Sequence, residues 1–204
     1  VVLSHGHYDH TGGLGSVLDA APGIPVYAHS DAFGQKLTPG SNGSVRDIGM
    51  PARARRAVSE RADLRPVEHP AEISSGLHLT GPIPRTTDFE DTGGDFFTDR
   101  PCTIPDPLTD DQAAFFDTLS GLVVILGCAH AGVVNTLRAI ADLTNDRPIH
   151  TVVGGMHLVH ASPGRLDRTV EELARFDVQR LIPCHCTGFP AAARLWNEFP
   201  ERVH

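Results

Sequence analysis

The last third of the chain alternates apolar runs with amphipathic ones, and this rhythm constrains the fold more than any other feature. Residues 122–127, 149–154 and 178–183 read as strands, and 132–144, 164–176 and 190–198 read as helices. Val133, Leu137, Ile140 and Leu143 recur at helical spacing, as do Leu166, Val170 and Leu173. Strand–helix–strand alternation builds a parallel sheet with helices packed on it, an α/β architecture. Each strand of this third ends in a turn that carries His: Cys128-Ala129-His130, Met156-His157 and Cys184-His185-Cys186. Side chains gathered on one edge of such a sheet are a usual way to build a site.

The amino terminus supplies a second His-rich turn. Val1-Val2-Leu3 reads as a strand running into His5-Gly6-His7-Tyr8-Asp9-His10. On an extended segment His5 and His7 share a face and can grip one ion. Asp9 and His10 lie where the chain turns into Thr11-Gly12-Gly13, aimed at a second ion. Imidazole and carboxylate suit zinc, iron or manganese. A pair of such ions about 3.5–4 Å apart can clamp a displacement reaction.

Composition narrows the partners. The chain has 204 residues, 40% of them hydrophobic, enough for one well-buried domain. Its formal net charge of −8 argues against nucleic acid as a partner, despite the basic run at 53–56. No stretch approaches a membrane span in length. Cys128, Cys184 and Cys186 sit beside His at strand ends, a pattern of metal chemistry in a reducing, cytoplasmic setting rather than of disulfides. A small anionic substrate is the expected partner; the oligomeric state has no signature in the sequence.

Between the two His-rich regions, 14–20 reads as a short helix stopped by Pro22-Gly23, and 24–28 as the next strand. The stretch 31–70 is polar and rich in Gly, Pro and Arg, with a basic helix near 51–62; it reads as a cap or insertion within a single domain spanning 1–204. Residues 76–80 read as a strand, 88–111 as an acidic loop, and 113–118 with 122–127 as a hairpin.

The string SHGHYDHTGG resembles the HxHxDH signature of the metallo-β-lactamase superfamily. TGPIPRTTDFE, ILGCAHAG, VGGMHL and PCHCTG are similar to one branch of it, which holds metal-dependent hydrolases and proteins named as a dihydropterin–ribofuranosylaminobenzene phosphate synthase. The resemblance covers nearly the whole chain. It implies a metallo-β-lactamase-like αββα sandwich, truncated at its amino terminus, because members carry further strands ahead of the first motif. A missing start leaves open whether a signal peptide precedes it.

The resemblance also implies roles. Two divalent ions, zinc first with iron or manganese as variants, would form a binuclear centre. One takes His5, His7 and a third His; the other takes Asp9, His10 and His185. His130 is the preferred third His, with Cys128 lining the site. In the competing assignment Cys128 binds or bridges, where many members use Asp, and His78 or another residue completes the first ion. A metal-bound hydroxide would attack a small anionic ester or phosphoester, with Asp9 holding the nucleophile and His157 protonating the leaving group. Arg85 would meet a substrate phosphate or carboxylate, or else pair with Asp88 or Glu90. Thr187 would offer its hydroxyl to substrate. Cys184 and Cys186, flanking His185 on an extended segment, would share the opposite face and pack. The alternatives are a transferase joining a pterin methyl pyrophosphate to an arylamine phosphate, and a non-catalytic metal sensor.

Overall fold

A computed structural model describes residues 1–204. They form two units by internal contact: 1–68 with 95–110, and 69–94 with 111–204.

In the first unit, Val1–Leu3 is extended but makes only a single parallel bridge, Val2 to Tyr27. The HGHYDH segment is not a strand. It bends at Ser4 and Gly6 and enters a one-turn helix, α1 (Tyr8–Thr11), whose start is tied by Thr11 Oγ1 donating to His7 O at 2.9 Å. Helix α2 (Leu14–Ala20) follows, then β1 (Pro25–Ala28), both close to the expected bounds. Hairpin strands β2 (Leu37–Pro39) and β3 (Val45–Asp47) pair antiparallel. Helix α3 (Ala52–Arg61) and β4 (Asp63–Pro66) complete the unit, with β4 parallel to β1.

Segment 31–70 is therefore largely regular. The alanines of α3 explain why a run so rich in Arg belongs to the core: Ala54, Ala57 and Val58 bury with Leu14 and Leu18 of α2 and with Leu3, Val26 and Ala28. The arginines face water, where Arg53 and Arg61 pair with Asp19. His29 is buried: its Nε2 lies 2.7 Å from Glu68 and its Nδ1 accepts from Asp31 N.

The second unit holds one six-stranded sheet in the order β10-β9-β8-β7-β6-β5. Strands β5 (Ala71–Ser74), β6 (Leu77–Leu79), β7 (Ala114–Thr118) and β8 (Gly121–Ile125) pair antiparallel in succession. Strands β8, β9 (Ile149–Gly154) and β10 (Arg180–Pro183) are parallel. The crossovers are α4 (Val133–Thr144) and α5 (Pro163–Arg175), and α6 (Phe189–Glu198) follows β10.

The helical spacing is what buries these helices: Val133, Val134, Leu137 and Ile140 of α4 and Val170 and Leu173 of α5 pack with Val124, Val152 and Leu181 of the sheet. Leu143 falls off the stripe and is exposed. Helix α5 starts sharply because Ser162 Oγ caps Arg165 N and Pro163 occupies its first turn. Strand β5 was not read from the sequence because it is only four residues long, too short for its alternation of Ala71 and Ile73 with Glu72 and Ser74 to stand out. No helix is long and apolar enough to cross a membrane.

Candidate functional site

The first unit gathers His5, His7, Asp9 and His10. His5 and His7 are buried, and their facing nitrogens, Nε2 and Nδ1, lie 3.1 Å apart. Two nitrogens bound at about 2.0–2.1 Å to one tetrahedral ion sit roughly 3.3 Å apart, so this pair has the separation of a chelate. Ser4 Oγ lies 3.1 Å from His5 Nδ1 and 3.4 Å from His10 Nδ1, so it contacts both rings on the side away from the His5–His7 pair. The His5 and His10 rings approach to 4.3 Å, and His10 Nε2 is 3.5 Å from Asp9 Oδ2.

A buried charge network holds this turn. Gly6 N, between the two histidines, donates to Asp110 Oδ2 at 2.7 Å. The other oxygen of Asp110 accepts from Lys36 Nζ at 2.8 Å, and Lys36 also reaches Asp106 Oδ2 at 3.1 Å. Lys36 and Asp110 are wholly enclosed. None of the three stood out in the sequence; contacts across about seventy residues leave no local pattern.

The second unit gathers His130, His157, Cys128 and Cys186 at the carboxyl ends of β8, β9 and β10. His130 is buried, and its Nδ1–H donates to Thr92 O at 2.8 Å. That assignment, inferred from the acceptor, leaves Nε2 as the ring's lone-pair nitrogen, the arrangement of a metal-ligating imidazole held by a backbone carbonyl. The His157 ring lies 4.2 Å from that of His130. Arg85, half-buried, donates to His130 O at 2.8 Å; burial lowers its pKa, with Asp111 and Glu90 opposing. Its neighbours are the His130 carbonyl, the carboxylates of Asp111, Glu90 and Asp91, and the guanidinium of Arg165. Asp88 pairs with Arg168, and Glu90 caps the start of α4 by accepting from Val134 N and Asn135 N at 2.9 and 2.8 Å.

Several expectations change here. His78 stacks on Phe115 at 5.2 Å in the β6–β7 pair, away from the strand ends, because alternation along β6 turns it to that face. Thr187 is buried and its Oγ accepts from Met156 N at 3.1 Å, which fastens two turns together. Cys186 does not pack away from the site. His185 has φ 52°, and 185–187 coils into a 3₁₀ turn, so the alternation assumed for an extended segment fails. The Cys186 Sγ, Cys128 Sγ and a His157 nitrogen lie within 4.8 Å of one another. A hydrogen bond from Cys128, aided by His157 and opposed by burial, lowers the Cys186 pKa to about 4. His185 is exposed and borders a shallow 170 Å³ pocket with Pro183, Gly188, Phe189 and Ala192.

Both donor sets suit a first-row divalent cation: imidazoles, one carboxylate and two thiols. Comparison with known proteins agrees. The chain is 34% identical over 197 residues to the Methanocaldococcus jannaschii protein MJ0448, covering 96% of this chain and 71% of that one. It is 28% identical over 214 residues to the same organism's 7,8-dihydropterin-6-methyl-4-(β-D-ribofuranosyl)-aminobenzene-5'-phosphate synthase, covering 100% of this chain and 72% of that one. It superposes with TM-score 0.85 and 32% identity on the crystal structure of Tm1679, a metal-dependent hydrolase of the β-lactamase superfamily, over 100% of this chain and 75% of that one. The metallo-β-lactamase family model matches residues 1–185, and the chain belongs to the metallo-β-lactamase superfamily.

Proposed function

We propose that the chain is a metal-dependent hydrolase of small anionic esters or phosphoesters. His5, His7 and His130 would hold one divalent cation and Asp9, His10 and His185 a second, with zinc the first choice. The observation that carries the reading is the state of the imidazoles. His5 and His7 face each other at chelating distance, and the Thr92 carbonyl fixes His130 with Nε2 as the donor. The hydrolase named among its structural relatives supports the same chemistry.

Bound cations would supply Lewis acidity and a more acidic water. The chain's own groups do the rest. Asp9, 40% exposed at its side chain, accepts a proton and orients the attacking water. His157, half-buried, gives a proton to the leaving group. Arg85 steadies His130 through its carbonyl, and its positive charge favours an anionic substrate nearby.

The second reading, a transferase that expels pyrophosphate, is favoured by the synthase among the relatives. In it the same residues would hold the cations that bind the pyrophosphate leaving group, and Asp9 activates no water. The test is a panel of phosphomonoesters, phosphodiesters, lactones and thioesters offered to zinc-loaded protein, beside metal counts. Hydrolysis that is lost with metal content in His185→Ala supports the first reading. Two metals without turnover of any panel member refute it.

A further inference from the structure

We propose that Arg165 is the seat of one oxyanion, a phosphate or carboxylate group, held side-on by its guanidinium beside Arg85. As a place for a charged group of the substrate, the seat rests on the hydrolase reading; as a binding site it stands on its own residues.

Arg165 lies in the first turn of α5, where its N donates to Ser162 Oγ and its carbonyl accepts from Thr169 Oγ1 at 2.8 Å. Its side chain is only 3% exposed. Nη1 pairs with Asp91, whose carboxylate is mostly exposed and also accepts from Gly93 N at 2.7 Å. Nε and Nη2 are buried and meet no acceptor on the chain. These two nitrogens make up one edge of the guanidinium fork, the geometry that takes two oxygens of a carboxylate or phosphate. The other carboxylates nearby are engaged elsewhere. Glu90 accepts from Val134 N, Asn135 N and Thr87 Oγ1, and Asp111 Oδ2 accepts from Ala131 N at 2.8 Å. Arg85 stands close: burial lowers its pKa most, and the charge on Arg165 lowers it further. Three features of Arg165 are therefore unfavourable in the protein alone. Its charge is enclosed, one edge of two donors is unmet, and it sits at the positive end of a helix with no acidic residue in its first turn. One anion on that edge relieves all three and offsets the repulsion between the two guanidiniums. The Asp91 carboxylate is the group with which an incoming anion competes. Gly93, which shares the Asp91 turn, packs against the His157 ring, so the turn links the seat to the proposed proton donor.

The test titrates the full chain with inorganic phosphate and with methyl phosphate in a calorimeter, after loose metal is removed and bound metal counted. Saturable binding is expected. It should weaken roughly tenfold or more in Arg165→Lys, which keeps the charge but loses the fork edge. Asp91→Asn removes the competing carboxylate from an exposed position and should tighten binding roughly threefold or more. Circular dichroism checks the fold of each variant. Unchanged affinity in folded Arg165→Lys overturns the seat, as does no binding at millimolar phosphate, or a loss that merely follows metal content from variant to variant. Methyl phosphate held as well as the inorganic ion supports a seat for a substrate group; the inorganic ion held alone overturns that use. The Arg165 Nε–H proton resonance of the unmutated chain reads the same question without substitution: a downfield shift with phosphate supports the seat, and a resonance that does not move refutes it. Metal counts and turnover report the two-ion reading separately, so either can fail alone.

Discussion

Lys36 is the residue whose loss should be felt furthest from its own position. Its ammonium contacts two carboxylates at 2.8 and 3.1 Å, with side-chain exposures of 2% for Lys36, 0% for Asp110 and 6% for Asp106. At an effective dielectric near 20, each contact is about 5–6 kcal/mol of gross attraction, most of it offset by desolvation. Removing one member of a buried pair leaves uncompensated charge, a net loss of about 3–5 kcal/mol. Against a total stability of about 5–15 kcal/mol, Lys36→Met should be among the most damaging single changes in the chain. The substitution keeps the aliphatic stem, so it isolates the charge. Asp110 also anchors Gly6 N, so a shift of this carboxylate should loosen the His5–His7 pair and weaken zinc binding as well. Urea unfolding followed by circular dichroism gives the stability, and competition with a chelating dye gives the affinity. A loss below about 1 kcal/mol, the range of a surface ion pair, would refute the argument.

Glu90 and Gly93 make further cases. Burial raises the Glu90 pKa despite its bonds to Val134 N, Asn135 N and Thr87, so in the upper carboxylate range the folded state binds more protons than the unfolded one. Its contribution therefore falls as pH rises through that window. The stability gap between the native chain and Glu90→Gln, followed by denaturant melts from pH 4 upward, should narrow with rising pH; a widening gap would contradict the account. Gly93→Ala puts a methyl group against the His157 ring at a residue with φ +81°, and should cost about 1–3 kcal/mol in thermal melts. A melting curve identical to that of the native chain would show that the turn has slack the structure does not display.

The carboxy-terminal third was legible because its burial follows the helical period: α4, α5 and β9 fall within a residue or two of the spacing-based bounds. The histidines His5, His7, His10 and His130 were legible as candidate ligands because each sits in a short motif. What stayed hidden was non-local. Lys36, Asp106 and Asp110 meet across long separations in segments that read as polar surface. The core role of α3 was masked by its arginines, since alanines alone form its buried face. Cys186 was misplaced because alternation presumes extended backbone, and one left-handed residue at His185 changes which side chains share a face.

The most direct measurement is anomalous diffraction at the zinc edge from crystals of the zinc-loaded chain. The account predicts two strong peaks, one with His5, His7 and His130 as donors and one with Asp9, His10 and His185, at about 2.0–2.2 Å. Zinc bound without His130, or no peak beside the His5–His7 pair, would contradict it.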